Sequence, residues 1–245
     1  MFVEKNCENF ELKITIVTVC LNARKTIENT IRSVVEQCYN NIEYIVIDGG
    51  SKDGTIEIVE RYLSHISYFL SESDSGIYNA MNKGIENANG QYVHFLNSDD
   101  FFCDNNVVED VVESINNNDF PDIVYGDILI DGVKKVSQVT PLTRKKLCNS
   151  WICHQAFFAK KETLIRTNGF SEKFKVVSDI DWLAKNLKFG VSYLHIDRDI
   201  ASVSIEGLSG TSKWRDEKHQ YFRDNYSVWE YFLWRKLPRL FKFKK

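Results

Sequence analysis

The chain has few of the features that mark disordered, membrane-spanning or nucleic-acid-binding proteins. Its 245 residues include only 3 prolines and 12 glycines, which is too few for a largely disordered chain. No run of about 18 apolar residues occurs, so no typical membrane-spanning helix is predicted. The net charge of −3 lacks the basic surplus of a general nucleic-acid-binding protein. These absences predict one large α/β domain, or one domain with a small appendage.

Cysteine patterns and targeting signals are also missing. The 6 cysteines form no C-x-x-C pair and show no zinc-site spacing, and a disulfide framework is not expected in a chain of this length. Residues 1–13 contain several charges and no apolar core long enough for a signal peptide. The sequence therefore predicts reduced thiols and a cytoplasmic location.

Glycine-rich phosphate loops are absent as well. The first predicted strand ends in VCLNARKT, without a glycine, whereas a dinucleotide-binding fold would have G-x-G-x-x-G at this point. No Walker loop occurs either. A nucleotidyltransferase is a further enzyme class with a nucleotide-binding α/β sheet, and it usually has a glycine-rich basic loop after the first strand. The sequence thus argues against a dehydrogenase, a P-loop enzyme and a nucleotidyltransferase.

Apolar β-branched runs alternate with segments of helical spacing. Strands are predicted at residues 13–20, 42–48, 67–71, 91–96 and 122–130, the last as an edge strand. Helices are predicted at residues 22–38, 55–63, 77–87, 107–115 and 178–189. Residues 132–149 are interpreted as a loop. Strand and helix in alternation indicate a parallel sheet with crossover helices.

Polar side chains collect where the predicted strands end. These residues are Thr18, Asn22, Asp48, Asp99 and Asp100. In an open parallel sheet, ligands bind beyond the carboxyl ends of the strands. Two adjacent carboxylates are costly to hold together unless a cation lies between them, and a divalent metal there could neutralise a diphosphate. The pair alone could equally form a turn or cap a helix, but Asp48 and Asp74 at neighbouring strand ends favour the metal hypothesis.

The order of the motifs resembles a known enzyme family. ITIVTVCLNA, VIDGGSKDGT, SESDSGIYNAMNKGIENANGQYVHFLNSDD, CHQAFF and SDIDW follow one another as in the family-two glycosyltransferases with the GT-A fold. The resemblance is dense over residues 14–100 and sparser to about 190. It implies a Rossmann-like, mostly parallel sheet flanked by helices. It also implies inverting transfer of a sugar from a nucleotide-sugar, expected to be a UDP-sugar, to a saccharide hydroxyl, with Mn²⁺ or Mg²⁺.

The same resemblance implies donor-binding roles for matching residues. Thr18 and Asn22 are expected to line the nucleotide pocket, and Asp48 to help hold the uracil or the ribose. Asp74 stands where the family places a donor-binding residue. Gly49 replaces a second acid that is common in the family.

A metal motif and an HQ pair are implied in the same way. Asp100 is expected to bind the metal, and Asp99 to contact the ribose or the metal. Asn97 replaces the earlier acid of the family's metal motif. His154 and Gln155 are expected near the donor sugar or the diphosphate, and a hydrogen-bonded core histidine is the alternative for His154.

Asp179 matches the acid of the family's ED motif and is the candidate general base. Inverting transfer needs a carboxylate within hydrogen-bond reach of the attacking hydroxyl. Asp181 is an alternative base, and both acids could instead only cap the following helix. A catalytically degenerate domain that only binds partners or a membrane is the non-enzyme alternative. The acids at positions 48, 99, 100 and 179 argue against it.

The resemblance divides the chain into two parts. Residues 1–205 are predicted to form the GT-A domain, with a nucleotide-binding half at about 13–100 and an acceptor half at 101–205. Residues 206–245 are predicted to be a helical, aromatic and basic extension. Gly207 and Gly210 bracket a predicted lid over the diphosphate.

The end of the chain, WEYFLWRKLPRLFKFKK, mixes aromatic and basic residues. This composition suits an interfacial helix on an anionic membrane, with a helix docked on the core as the alternative. The DSGIYNAMNKG motif is similar to bacterial enzymes that build O-antigens, capsules and exopolysaccharides. We therefore expect a polyprenyl-diphosphate-linked acceptor and a peripheral position on the inner face of the cell membrane.

Overall fold

The computed structural model describes residues 11–138, 140–148, 153–204 and 212–227. They form a nine-stranded sheet covered by helices on both faces. The strands are β1 (Ile14–Cys20), β2 (Ile42–Asp48), β3 (Tyr68–Ser71), β4 (Tyr92–Phe95), β5 (Phe101–Phe102), β6 (Ile123–Ile130), β7 (Lys134–Val136), β8 (Phe157–Lys160) and β9 (Tyr193–Val203). The helices are α1 (Ile27–Val35), α2 (Thr55–Glu60), α3 (Ile77–Asn87), α4 (Val107–Asn116), α5 (Arg144–Leu147), α6 (Lys161–Arg166), α7 (Ser178–Lys188) and α8 (Ser212–Asn225). Two 3-10 turns cover Leu63–His65 and His154–Ala156.

The first half of the sheet is parallel, as predicted. The strand order is β3-β2-β1-β4-β8-β6-β9-β5, with β7 paired to β6. The register joins Cys20 of β1 to Asp48 of β2, and Asp48 to Ser71 of β3. The carboxyl ends of these strands therefore meet at one edge. Beyond β4 the sheet becomes mixed, because β8 is antiparallel to both β4 and β6 while β6 is parallel to β9.

Alternating strand residues supply two apolar layers. Ile14 and Ile16 of β1 pack with α1 and α4 on one face, while Val17 and Val19 pack with α3 and α7 on the other. Every residue of β1 is buried. This explains why the strand lacks polar alternation, as expected for a strand covered on both faces.

The position of β6 differs from the prediction. The strand lies between β8 and β9 rather than at an edge, and its first six residues are buried. Burial on both faces explains its apolar composition. Gly126 lets the partner strand approach closely, since a Cβ there would overlap with the Arg198 carbonyl oxygen. The prediction of a loop at residues 132–149 is also wrong, because β7 and α5 lie within it.

The described part of the C-terminal region packs on the core. Tyr221, Phe222 and Tyr226 belong to the same apolar layer as α3 and α7. Among the helices of the described residues, none is long and apolar enough to cross a membrane. The predicted lid at residues 207–210 and the predicted membrane segment at 229–245 lie outside the described residues, and the division at residue 205 stays a prediction.

Candidate active site

A cavity of about 540 Å³ lies beyond the carboxyl ends of β1 and β4. Four aspartates, Asp74, Asp99, Asp100 and Asp179, line its wall. The wall also contains Asn22, His154 and Gln155. The structure therefore brings together seven of the nine predicted site positions, as the strand ends meet at one edge of the sheet.

Thr18 does not line this cavity, which corrects the prediction for this residue. Its side chain is fully buried, and its Oγ1 accepts a hydrogen bond from the Tyr44 hydroxyl at 3.1 Å. Side chains alternate along a strand, so Thr18 faces the layer opposite to its wall-lining neighbour Val19. Thr18 is a structural residue below the site.

Asp48 is likewise buried beneath the site instead of lining it. Its carboxylate is 0% exposed and accepts hydrogen bonds from the backbone N–H of Gly50 at 3.0 Å and of Ser51 at 2.9 Å. The hydroxyls of Ser51 and Ser71 donate to it as well. Burial opposes its ionisation, but these hydrogen bonds outweigh burial and lower the pKa of Asp48. The predicted contact of Asp48 with the uracil or ribose is therefore corrected to a role in forming the turn after β2.

That turn contacts two residues of the cavity wall, Asn22 and Asp74. Asn22 has a left-handed φ of 51°, its N–H donates to the Ser51 hydroxyl at 2.7 Å, and its Oδ1 accepts from the Lys52 N–H at 3.0 Å. Asp74 accepts from the Gly76 N–H at 2.9 Å. A Cβ at Gly49 would lie 2.7 Å from Asp74 Oδ2. Asp74 thus occupies the space that a side chain at position 49 would need.

Asp99 and Asp100 form an acidic pair in a poorly solvated place. Asp100 is 1% exposed, and burial together with the charge of Asp99 raises its pKa to about 7. Burial also raises the pKa of Asp99. Asp100 Oδ2 accepts from Gln155 Nε2 at 2.6 Å, and Oδ1 accepts from the Ser204 N–H at 3.0 Å. The fold alone therefore leaves the two negative charges incompletely compensated.

This donor set fits Mg²⁺ or Mn²⁺. Both ions prefer carboxylate oxygens, and Mg²⁺ is often held by one or two carboxylates with substrate phosphates and water as the other ligands. Within the described part of the chain, no group of three or more His, Cys, Asp or Glu residues could hold a metal ion. Asp99 and Asp100 would thus hold the ion together with a bound diphosphate.

The 3-10 turn His154–Ala156 connects the acidic pair with Asp179. His154 Nε2 lies 3.1 Å from Asn97 Oδ1, and Nδ1 lies 3.5 Å from Asp179 Oδ2. Among the described residues, His154 Nδ1 has no hydrogen-bond partner, so the two side chains are neighbours without a hydrogen bond between them. Since neighbouring Gln155 binds Asp100, one short turn contacts the acids at both ends of the site.

The structure separates the two candidate bases. Asp179 lies in the cavity wall, and its Oδ1 accepts from the Ile180 N–H at 2.7 Å. Asp181 is not part of the wall, and its carboxylate pairs with Lys185 Nζ at 2.6 Å. Asp179 therefore faces the cavity, whereas Asp181 faces α8 through Tyr221.

Sequence reasoning missed several residues of the site. Lys175, the one Lys or Arg among the described wall residues, precedes α7. Its charge was visible, but nothing in the local pattern connected it to the strand ends. Glu172, a few residues earlier, accepts hydrogen bonds from Ser75 Oγ at 2.9 Å and Asn79 Nδ2 at 3.2 Å. This carboxylate joins the beginning of α3 to the segment before α7.

Sequence relatives are bacterial glycosyltransferases. The profile of Glycosyl transferase family 2 matches residues 15–173. An uncharacterized glycosyltransferase of Mycobacterium tuberculosis is 30% identical over 178 residues, covering 70% of this chain and 68% of that protein. A PGL/p-HBAD biosynthesis glycosyltransferase of the same species is 27% identical over 205 residues, covering 80% of this chain and 79% of that protein.

Solved glycosyltransferases share the fold. S. aureus TarS 1–349 in complex with UDP-GlcNAc superposes with a TM-score of 0.65 at 19% identity, over 79% of this chain and 58% of that one. Mannosyltransferase PcManGT from Pyrobaculum calidifontis, in complex with GDP-Man and Mn²⁺, gives a TM-score of 0.65 at 17% identity, over 96% and 66%. Since the family profile covers more than half of the sequence and the fold is of the GT-A type, this chain belongs to glycosyltransferase family 2.

Proposed function

We propose that the protein is an inverting glycosyltransferase that moves a sugar from a UDP-sugar to a hydroxyl of a saccharide acceptor. The observation that carries the proposal is the position of Asp100 and Asp179 in the wall of one cavity, connected through His154 and Gln155. One acid belongs to a site for a leaving group and the other to a site for an incoming alcohol.

The donor end consists of Asn22, Asp74 and the acidic pair. Bound Mn²⁺ or Mg²⁺ would supply positive charge that stabilises the departing diphosphate. Asp99 and Asp100 would hold the ion, and Gln155 orients Asp100. Mn²⁺ in the PcManGT complex and UDP-GlcNAc in the TarS complex support this choice of ion and donor, whereas the donor in the PcManGT complex is the guanosine nucleotide-sugar GDP-Man.

At the acceptor end, Asp179 takes the proton of the attacking hydroxyl. The hydroxyl oxygen forms a bond to the anomeric carbon while the bond from that carbon to the diphosphate oxygen breaks. The bonding electrons leave with the diphosphate. Attack from the face opposite to the leaving group inverts the configuration at the anomeric carbon. The Ile180 N–H, which donates to Asp179 Oδ1, helps to fix the direction of the carboxylate.

The Asp179→Asn variant tests the role of the base. The amide keeps the size of the side chain but cannot take a proton, so transfer should fall about a hundredfold or more. UDP affinity with Mn²⁺, measured by titration calorimetry, should stay unchanged. NMR of the wild-type product should show the inverted anomer. The matched control is Asp181→Asn, which should retain transfer; the opposite result for the two variants would overturn the assignment.

We infer further that the acceptor is a polyprenyl-diphosphate-linked oligosaccharide in surface polysaccharide synthesis of the O-antigen, capsule or exopolysaccharide kind. The aromatic and basic composition of residues 229–245 supports an acceptor held at the inner face of the cell membrane. Family membership argues against a nucleotidyltransferase. Screening a panel of UDP-sugars for metal-dependent hydrolysis identifies the donor. If the protein binds no UDP in the presence of Mn²⁺, a catalytically degenerate binding domain is favoured instead.

A further inference from the structure

Glu217 of α8 binds the segment that leads into the proposed base. Its carboxylate accepts three consecutive backbone N–H groups, from Lys175 at 2.8 Å, Val176 at 2.7 Å and Val177 at 3.1 Å. Three neighbouring amides that turn toward one point form an anion-binding concavity. Here the anion is a side chain that lies about 40 residues further along the chain.

This contact lies at the entry to α7, where Val177 precedes the first helical residue. The residue before α7, Val177, provides no side-chain hydrogen bond to the beginning of the helix. Backbone N–H groups at a helix N-terminus need partners, and a carboxylate there is favoured by the helix dipole. Hydrogen bonds to an ionised group are roughly twice as strong as neutral ones. Glu217 thus pairs with the Val177 N–H and with the two amides before it, which belong to the segment that leads into α7.

The segment that Glu217 binds is part of the candidate active site. Lys175 and Val176 line the cavity, and Asp179 follows in the first turn of α7. The direction of Asp179 therefore depends on the path of the backbone at residues 175–177. Glu217 itself is not in the cavity wall and does not reach the reacting atoms.

The rest of α8 holds Glu217 in place. Tyr221, one turn further along α8, packs edge-on against Phe174 with ring centroids 5.5 Å apart. Tyr221 and Phe222 are 3% and 1% exposed in the core layer that includes α7. A carboxylate on so well-anchored a helix can set the position of the segment that it binds.

We propose that Glu217 is a positioning residue for sugar transfer, acting through residues 175–177 on Asp179. The inference rests on the proposed role of Asp179 as the base. It makes α8, which lies beyond the part of the chain that the family profile matches, a functional component of the acceptor end.

The test compares Glu217→Ala and Glu217→Gln with the wild type. Alanine removes all three hydrogen bonds, and kcat should fall about ten- to a hundredfold, since small displacements of a catalytic group have effects of this size. Glutamine keeps one acceptor oxygen and should restore part of the rate. UDP affinity with Mn²⁺ should change less than twofold in both variants. Asp216→Ala, which removes an exposed acid of the same helix, is the control and should retain full activity.

A double-variant cycle separates positioning from general structural support. If Glu217 acts through Asp179, adding Glu217→Ala to Asp179→Asn should not lower the residual rate further. An additional fall of the same size as in the wild-type background would overturn the inference, as would full activity of Glu217→Ala. If the alanine variant does not fold, the same cycle with Glu217→Gln decides. Transfer by Asp179→Asn at the wild-type rate would instead refute the proposed base.

Discussion

At the scale of single residues, Asp100 has a negative charge that the fold alone does not stabilise. Its pKa is raised from 3.8 to about 7 by burial and by the charge of Asp99. The unfolded chain therefore loses this proton at lower pH than the folded protein. Between about pH 4 and pH 7, the contribution of Asp100 makes the metal-free protein less stable as the pH rises.

We predict that Asp100→Asn raises the melting temperature of the metal-free protein at pH 8, and that the difference disappears near pH 4. About 1 kcal/mol shifts Tm by about 2–4 °C in a protein of this size. The unpaired Gln155 Oε1 can accept from the new amide after the Gln155 side chain turns. Scanning fluorimetry in EDTA measures the shift. The same variant should lose metal-dependent UDP binding, and a lower Tm at pH 8 would contradict this prediction.

A second prediction at this scale concerns Gly49. A methyl group there would approach Asp74 Oδ2 to 2.7 Å, and the flexible carboxylate rather than the backbone has to move. Gly49→Ala should keep Tm close to the wild-type value but weaken UDP binding about ten- to a hundredfold, since one hydrogen bond to a charged group contributes about 1.5–3 kcal/mol. Calorimetric titration with UDP and Mn²⁺ measures the effect. Asp74→Ala should weaken UDP binding to the same extent. The double variant should bind UDP no more weakly than Asp74→Ala alone. Undiminished UDP binding by Gly49→Ala would contradict the prediction.

The sequence predicted that Asn22, Asp99 and Asp100 gather beyond the strand ends, where they line the cavity, but it did not predict the burial of Thr18 and Asp48. Both faces of β1 are apolar, so the pattern alone does not tell which face Thr18 occupies. Asp48 ends β2, yet its carboxylate turns back onto the N–H groups of its own turn. Whether a strand-end acid contacts a ligand or its own loop depends on backbone direction, which residue types do not reveal.

At the scale of elements, the close packing of α3 on β1 depends on Gly84. A Cβ at this position would overlap with Val17 Cγ1. Elsewhere in a helix, alanine is more stable than glycine by about 1 kcal/mol. Here overpacking should outweigh that gain, because it typically costs about 1–3 kcal/mol.

We therefore expect Gly84→Ala to lower Tm by several degrees in thermal unfolding. Glu86→Ala, at an exposed position of the same helix, is the control and should change the stability by no more than about 0.5 kcal/mol. Val17→Ala should destabilise the Gly84→Ala protein less than the wild type, as it provides room for the methyl group. Equal effects of Val17→Ala in both backgrounds would show that the two positions do not compete for space.

Elements of the first half were predictable and those of the second half largely were not. The β1-to-β4 region has regular apolar periodicity, and its parallel pairing was predicted correctly. By contrast, β9 is partly exposed and contains several charges, and its register with β6 shifts near Asp127. Such a bulge breaks the two-residue alternation that identifies a strand in a sequence.

At the scale of the whole molecule, the chemistry is divided along the chain. The acidic pair lies within the part that the family profile matches, whereas Asp179 and Glu217 follow residue 173, where that match ends. The sequence placed the fold of the first part correctly through its motifs. It did not indicate that α8 contacts the segment before Asp179, because no local pattern links residues so far apart.

The membrane hypothesis leads to a prediction for the intact protein. The last eleven residues include six Lys or Arg and no acid, and each basic residue near an anionic surface contributes about 1 kcal/mol to binding. Removing residues 235–245 should abolish sedimentation with vesicles that contain anionic lipid, while UDP binding is unchanged. Neutral vesicles are the control. Undiminished sedimentation of the shortened chain would refute membrane attachment through this segment.

The contacts of Glu172 have a consequence for substrate choice. Because this carboxylate links Ser75 and Asn79 to the stretch before α7, it joins two segments that each contribute residues to the cavity wall, Gly76 in one and Lys175 in the other. A bulkier substituent would have to break those bonds on entry. The protein would then discriminate between sugars by size before any ligand binds. Weakening the hydrogen bonds of Glu172 would broaden the range of sugars that it accepts.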